Sequence, residues 1–152
     1  MFFWSGRNAK ERRGFGVKNC LVRKLASLPT GINDILVPLR LPLANKQHAT
    51  IISAYAPSRG SEGNFYKDLD KLIRSVPRQE KLFLLGDFNA DTDHTTWEGV
   101  GKCNSNGLLL LRTRAEHELL IVNTVFCVPR RNKTSWMHPR SRHWHLIDFV
   151  IT

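Results

Sequence analysis

The sequence has little cysteine, a shortage of acidic residues and no long apolar segment. Its three cysteines, Cys20, Cys103 and Cys127, are odd in number and widely separated, so they fit neither a zinc site nor a disulfide framework. Reduced thiols of this kind are typical of an intracellular protein. No apolar run approaches transmembrane length, and residues 1–4 are too few for the core of a signal peptide. We therefore expect no membrane partner.

The shortage of acidic residues leaves a strongly basic chain. Its 152 residues include 23 Lys and Arg against 13 Asp and Glu, a formal net charge of +10. Such a balance favours a polyanionic partner, nucleic acid before membrane, because no basic amphipathic helix stands out. The alternative is a basic protein without such a partner. With 41% hydrophobic and 24% charged residues, the chain predicts one globular domain with its own core.

The most informative stretch is residues 81–89, Lys-Leu-Phe-Leu-Leu-Gly-Asp-Phe-Asn. Its short apolar run predicts a strand buried on both faces, and Gly86 predicts a close approach of another backbone. Residues two apart on an extended chain share a side, so Asp87 and Asn89 are expected together, with Phe88 in the core. Such a pair at a strand end is suited to chemistry. The alternative is an Asx turn, in which both side chains bond their own backbone.

The rest of the chain predicts strands and helices in mixed order. Pro38 and Pro42 make the second of the remaining strands an edge or an irregular strand. These strands are predicted at residues 14–22, 35–43, 50–55, 120–125, 133–137 and 146–151. A first helix is capped by Ser61, ends at Pro77 and carries Phe65, Leu69, Leu72, Ile73 and Val76 on one face. A second, over residues 106–119, carries Leu108, Leu111, Ala115 and Leu119 on one face. The order favours an α/β protein of the α+β type, a mixed sheet with helices outside it.

Two further clusters could bind a ligand. The first is a basic stretch with interleaved aromatics, in which Arg and Lys would contact phosphates and Trp would stack on bases. Its members are Arg130, Arg131, Lys133, Trp136, Arg140, Arg142 and Trp144. The alternative is a hairpin whose tryptophans simply pack. The second, His143 and His145 with Asp148, is more typical of a loop-to-strand junction than of a metal site. His94 and His117 are expected in solvent.

Several stretches together resemble one family. Residues 52–57 (Ile-Ser-Ala-Tyr-Ala-Pro), 84–90 (Leu-Leu-Gly-Asp-Phe-Asn-Ala) and 145–151 (His-Leu-Ile-Asp-Phe-Val-Ile) resemble, in this order, motifs of the endonuclease/exonuclease/phosphatase superfamily. Residues 12–17, 104–111, 121–126 and 133–141 are similar to the endonuclease domains of non-LTR retrotransposons and to the craniofacial development protein two-like proteins. The resemblance covers essentially the whole chain.

This resemblance implies a sandwich of two mixed sheets flanked by helices, and a hydrolase that cleaves phosphodiester bonds with Mg²⁺. Asp87 falls where the family places the acid or base that handles the attacking water, and Asn89 where an amide holds that group and a phosphate oxygen. Tyr55 matches a tyrosine that contacts the scissile phosphate. Asp148 matches an aspartate that orients the catalytic histidine. These roles are chemically reasonable for carboxylate, amide and phenol groups.

The match also has gaps. The metal-binding glutamate of the family and its Ser-Asp-His motif have no counterpart in these 152 residues, since Glu11 lies in a basic loop. We therefore expect residues 1–152 to be a fragment of one domain, inactive by itself, with no metal ligand assigned and no small-molecule cofactor. The whole domain would bind DNA, use Mg²⁺ and act in the nucleus. The alternatives are a phosphoesterase for a small phosphate ester and a nucleic-acid-binding remnant without catalysis.

Overall fold

The computed structural model describes residues 1–5, 13–25, 28–29, 31–58, 60–91, 103–126, 129 and 132–152. The strands are β1 (Phe2–Ser5), β2 (Arg13–Gly16), β3 (Leu36–Pro42), β4 (His48–Tyr55), β5 (Lys81–Asp87), β6 (Trp136–Met137), β7 (Trp144–His145) and β8 (Asp148–Ile151). The helices are α1 (Asn19–Val22), α2 (Glu62–Ser75), α3 (Ser105–Glu116) and α4 (Val122–Val125), with a 3₁₀ turn at Ala44–Lys46.

A four-stranded mixed sheet organises the molecule. Its order is β3-β4-β5-β8, with β4 and β5 parallel and the outer strands antiparallel to their neighbours. The pairs β1–β2 and β6–β7 form two-stranded antiparallel sheets. The expected fold class, mixed strands with helices packed outside, is confirmed. Strand β3 carries Pro38 and Pro42 at the edge of the sheet, as predicted from the missing N–H donors of proline.

The main core lies between one face of the sheet and helices α2 and α3. Ile52, Leu84 and Phe149 project from this face and are at most 1% exposed. They belong to one apolar cluster with Phe65 and Leu69 of α2. Aromatic rings continue the cluster toward the end of β5, since Phe88 meets Phe65 and Phe149 edge to face, at centroid distances of 6.3 and 6.2 Å. The core position predicted for Phe88 is confirmed.

The other face of the sheet is covered in part, so the prediction that β5 is buried on both faces is wrong. Leu84 is fully buried, but its neighbour Leu85 is 36% exposed. On the same side as Leu85, Val37 and Leu39 of β3 are buried. The β1–β2 hairpin lies against β3 and β4, which explains why the far half of this face, on β5 and β8, is more open.

Three predicted strands differ from the structure. Residues 14–22 contribute only the end of β2, and Asn19–Val22 forms a helical turn. Of residues 120–125, Ile121 makes a single bridge to Ile151 and the rest is α4. Residues 133–137 contribute only β6. The segment at residues 120–125 leaves the sheet because the Asn123 side chain bonds the edge of β8, in place of a backbone ladder.

The buried face of α3 also differs from the prediction. Leu108 and Ala115 are exposed, and the buried residues of the helix are Asn106, Gly107, Leu110 and Thr113. Four consecutive leucines place a leucine on every side of a helix, so the period of 3.6 residues does not determine which side packs. Leu111 and Leu119 do pack against the core, partly buried.

Within the part of the chain that the structure describes, no helix combines the length and the apolar character needed to cross a bilayer.

Candidate active site

Three of the predicted site residues lie side by side at one end of the sheet. Tyr55 pairs with Asp87 between β4 and β5, and Asp87 pairs with Asp148 between β5 and β8. Cross-strand partners project from the same face, with Cβ atoms about 5 Å apart. This is the more open face, on which Leu85 and Val150 are exposed. We call this end the rim, defined by Tyr55, Asp87, Asn89 and Asp148.

Asn89, the fourth residue, lies in the turn that follows β5. Its main-chain N–H donates to Oδ1 of Asp87 over 2.8 Å, and its φ is +45°. The Asx turn considered as an alternative is therefore present, and it fixes the direction of the Asp87 carboxylate rather than removing it from the rim. The Asn89 side chain donates from Nδ2 to the main-chain oxygen of Ala56 over 2.7 Å. The bond between Asn89 and Asp87 is thus made by the main chain.

Gly86 is required by the close approach of β4 and β5. Its φ is +146°, and a Cβ atom there would lie 1.9 Å from the main-chain oxygen of Ala54. A side chain would force the strands apart one residue before Asp87. The close backbone approach predicted for Gly86 is confirmed.

Two residues that the sequence analysis did not single out hold Asp148. Ser135 Oγ accepts from the N–H groups of Ile147 and Asp148, both over 3.3 Å. On the open edge of β8, Asn123 donates to the oxygen of Asp148 over 3.2 Å and accepts from the N–H of Val150 over 2.8 Å. These hydrogen bonds join residues that are 12 to 27 positions apart in the sequence, so a local sequence pattern does not predict them.

The basic aromatic stretch forms the β6–β7 hairpin beside the rim. Trp136 pairs with His145 and Met137 with Trp144, so the two tryptophans project from opposite faces, 40% and 57% exposed. They do not pack on each other as paired residues, and the Trp136 ring lies instead 5.4 Å from that of His138.

The connection between β6 and β7 displays two exposed arginines, Arg140 and Arg142. His138 shapes this connection, because its Nδ1 accepts from the N–H groups of Arg140 and Ser141. Lys133 is partly buried at the base of the hairpin. Arg130 and Arg131 lie outside the described residues.

The donor set of the rim suits Mg²⁺ only in part. Asp87 and Asp148 supply two neighbouring carboxylates, and Mg²⁺ accepts one or two carboxylates completed by water and substrate phosphates. Over the described ranges, no group of three or more His, Cys, Asp and Glu side chains is close enough to hold a metal ion. The residues therefore fit a largely hydrated ion and not a closed protein cage.

The far end of the sheet carries ion pairs instead. Glu80 accepts from Arg40 and Thr50, and hydrogen bonds from Arg40 hold its pKa below the usual range. His117, expected in solvent, has a side chain only 10% exposed and contacts Asp70 at 2.7 Å. His94 lies outside the described residues. The Glu80 contacts join the connection before β5 to β3 and β4, and the Asp70–His117 contact joins α2 to the end of α3, both away from the rim.

Comparison with known proteins agrees with the rim motifs. The family model described as endonuclease–reverse transcriptase matches residues 49–152. The chain belongs to this family. It is therefore a member of the endonuclease/exonuclease/phosphatase superfamily, as the sequence motifs indicated, and the region matched contains all four rim residues.

Two curated relatives match most of the chain. It is 29% identical over 160 residues to craniofacial development protein 2 of Bos taurus, covering 98% of the chain and 27% of that protein. The protein of the same name from Tragulus javanicus is 31% identical over 129 residues, 78% of the chain and 22% of that protein. The chain thus spans about a quarter of the length of the curated relatives it matches.

Solved structures of low identity show the same fold. The endonuclease domain of TRAS1, a telomere-specific non-LTR retrotransposon, matches with a TM-score of 0.69 at 18% identity, over 99% of this chain and 65% of that one. The catalytic domain of Xenopus laevis APE2 matches with a TM-score of 0.54 at 14% identity, over 78% and 46%.

Proposed function

We propose that residues 1–152 carry part of a metal-dependent phosphodiesterase, a DNA endonuclease of the retrotransposon type. The observation that supports this most is the register of Tyr55, Asp87 and Asp148 on one face of three adjacent strands. A phenol and two carboxylates side by side, with an amide in the next turn, match the functional groups that phosphodiester cleavage requires. Membership of the family supports the same reaction class.

Each rim residue has a proposed role that its chemistry permits. Asp87, as a carboxylate, would accept a hydrogen bond from the attacking water and so position it. The Tyr55 hydroxyl and Asn89 Nδ2 donate to non-bridging phosphate oxygens as charge develops there. To do so, Asn89 would exchange its present bond to Ala56 for one to the substrate. Asp148 would orient a histidine, the role its motif has in the family.

The proposed cofactor is Mg²⁺, which Asp87 would contact together with water and substrate oxygens. When bound, it would neutralise the charge on the phosphate. Because the described residues provide few ligands, we expect DNA cleavage by residues 1–152 alone to be slower than that of a complete domain of the family by at least about a hundredfold.

The proposed partner is DNA, contacted by the β6–β7 hairpin. Exposed Trp136, Trp144, Arg140 and Arg142 project from the hairpin, and Ser135 at its base bonds the N–H of Asp148. A substrate strand on this surface would therefore run past the rim. The net charge of +10 favours the same partner. A nuclear location is part of this proposal, since the substrate is there.

Two alternatives differ from this proposal in ways that can be measured. A phosphoesterase for a small phosphate ester would not need the basic hairpin, so replacing Arg140 and Arg142 would leave its activity unchanged. A nucleic-acid-binding remnant would bind DNA without any dependence on Asp87. The small donor set of the rim favours the remnant for residues 1–152 by themselves.

The first experiment measures DNA affinity against salt concentration and then plasmid nicking with Mg²⁺. We expect binding without strong sequence preference that weakens steeply with salt, because phosphate contacts release counterions. Affinity that does not change with salt would contradict the DNA partner. Rapid nicking that Asp87→Ala abolishes would show that these residues hold a complete metal site, against the expected slow rate.

A further inference from the structure

The turn that carries Asn89 is held by the first turn of helix α3. Asn89 has a φ of +45°, in the left-handed region, where asparagine is tolerated at some cost in free energy. Its N–H and its side chain bond Asp87 and Ala56. Its main-chain oxygen accepts from Asn104 Nδ2 over 2.8 Å and from Asn106 Nδ2 over 3.5 Å. The N–H, the main-chain oxygen and the side-chain amide of Asn89 therefore all meet partners within the protein.

Asn104 joins the turn to the helix with both ends of its amide. Its Oδ1 accepts from the N–H of Gly107 over 2.7 Å, as the N-cap of α3, and from the N–H of Asp91 over 3.0 Å. Its Nδ2 makes the bond to Asn89. A Cβ atom on Gly107 would lie 2.6 Å from the oxygen of Asp91, so helix and turn are in close backbone contact. One side chain thus fixes both ends of the segment from Asn89 to Asp91.

Asn106 makes the second connection from inside the core. It is 1% exposed, and its Nδ2 donates to the oxygen of Pro57 over 2.9 Å, just beyond β4. Its Oδ1 is buried without a hydrogen-bond partner among the described residues, an arrangement that costs free energy. The amide is therefore oriented by its donor side, which faces the oxygens of Pro57 and Asn89. Tyr66 steadies the helix turn by donating to the main-chain oxygen of Asn106.

We propose that Asn104 and Asn106 are positioning residues for Asp87 and Asn89. By bonding the oxygen of Asn89, they hold this residue in its left-handed conformation, and its N–H then keeps Oδ1 of Asp87 in place. Asn106 also links the turn after β5 to the segment after β4, the strand that carries Tyr55, because its Nδ2 donates to the oxygens of both Asn89 and Pro57. This proposal rests on the function proposed for the rim, since it explains how the rim keeps its geometry before a substrate binds.

The substitution Asn104→Asp separates positioning from helix capping. Aspartate keeps the acceptor for Gly107 and Asp91, and it suits a helix N-terminus. It replaces the Nδ2 donor with an oxygen that faces the oxygen of Asn89. Asn104→Ser, which also caps but cannot reach Asn89, is the uncharged second variant. Tyr66→Phe is the matched control, because it removes a buried bond of the same network without touching Asn89.

The test is amide hydrogen exchange and the φ-dependent coupling constant of Asn89, measured by NMR on residues 1–152. In both Asn104 variants we expect the rate of amide hydrogen exchange at Asn89 to rise about tenfold, which corresponds to the loss of one hydrogen bond. This increase should come in addition to any change in the exchange rate at Leu84, a core residue that reports global stability. The coupling constant should move away from its left-handed value. In Tyr66→Phe both signals should follow global stability only. Asn89 signals in the Asn104 variants that match those of Tyr66→Phe would overturn the proposal.

A Mg²⁺ titration of the same samples distinguishes this proposal from the proposed function. If the rim holds Mg²⁺, wild-type Asp87 and Asn89 signals should shift with Mg²⁺ alone, and Asn104→Ser, which adds no charge near the rim, should need about tenfold more. A mobile Asn89 in the variants with no Mg²⁺ response in the wild type would support positioning and count against the proposed function. Equal Mg²⁺ affinity in wild type and variants, with Asn89 unchanged, would count against positioning.

Discussion

The two faces of the four-stranded sheet have different tasks, although the same strands form both. On the helix face, Ile52, Leu84 and Phe149 are at most 1% exposed and pack under α2 and α3. On the opposite face, Leu85 and Val150 are 36% and 38% exposed, and this face ends in Tyr55, Asp87 and Asp148. Strand alternation separates the two sets by a single residue. Stability and chemistry should therefore respond to different substitutions, even at adjacent positions.

The largest expected effect comes from truncation on the helix face. Leu84→Ala should lower the free energy of unfolding by about 3 kcal/mol, because it leaves a cavity among Ile52, Phe65 and Phe149. Leu85→Ala, the matched control one residue away, should cost less than about 1 kcal/mol, since its side chain is already partly in water. Urea unfolding followed by circular dichroism measures both. Equal losses would show that the two faces do not differ in this way.

Gly86 lies in β5 between the buried Leu84 and the rim residue Asp87. Gly86→Ala should cost roughly 2 kcal/mol, because its φ of +146° is unfavourable for alanine and the new Cβ would meet the oxygen of Ala54. Gly60 provides the comparison. Its φ is +84°, and a Cβ atom there would meet nothing within 4 Å among the described residues, so Gly60→Ala adds backbone strain without a clash. Thermal unfolding should rank Gly86→Ala as the more harmful. The reverse order would contradict a close β4–β5 approach.

The free energy of unfolding should also depend on pH through Asp70 of helix α2, independently of the rim. Hydrogen bonds from Arg74, and secondarily from His117, hold the pKa of Asp70 below its usual range. A lowered folded-state pKa stabilises the fold above the ordinary aspartate value near pH 4, and this contribution is lost as the pH falls through the lower folded value. The free energy of unfolding of Asp70→Asn should therefore be lower than that of wild type near neutral pH, and the difference should disappear in acid.

Asp68→Asn is the control for that measurement, because it removes another carboxylate of the same helix that contacts Lys71 and Asn33 instead of Arg74 and His117. A difference between wild type and Asp70→Asn that persists unchanged at the lowest pH would contradict the role assigned to the Arg74–Asp70–His117 contacts.

The smallest stability effect is expected at the hairpin, together with a clear effect on DNA. Arg140 and Arg142 are exposed, so replacing both with alanine should leave unfolding nearly unchanged. The slope of log affinity against log salt should fall by about 2, one for each phosphate that is no longer bound. Replacing Lys71 and Arg112, which lie on the helices, tests whether any two cations have the same effect. If both double substitutions reduced the slope equally, the DNA-binding surface would not be the β6–β7 hairpin.

The sequence predicted best where a residue has one physical option. Pro38 and Pro42 cannot serve in a central strand, and Gly86 could follow an apolar run only where a backbone comes close, so β3 and β5 were located correctly. The family motifs predicted the fold, because they fall at the ends of β4 and β5 and at the start of β8.

The sequence predicted poorly where several options are nearly equal. The four leucines of α3 offer any side of the helix, and the buried side follows from the bonds of Asn106 to distant carbonyl oxygens. Residues 120–125 are rich in β-branched side chains, as a strand is, yet the side chain of Asn123 bonds β8 instead. The rim supports found in Asn104, Asn123 and Ser135 depend on tertiary contacts, which a sequence pattern does not contain.

The most direct test of the account is the dependence of DNA affinity on Mg²⁺ in wild type and Asp87→Asn. Affinity of residues 1–152 for a short duplex would be measured with Mg²⁺ and with EDTA, at constant ionic strength. Screening by Mg²⁺ acts on both proteins alike, so their difference isolates the rim. We predict that Mg²⁺ increases the DNA affinity of wild type more than that of the variant. In EDTA, the variant should bind DNA as tightly as wild type, or more tightly. The same Mg²⁺ effect in both proteins would contradict a phosphodiester site at Asp87.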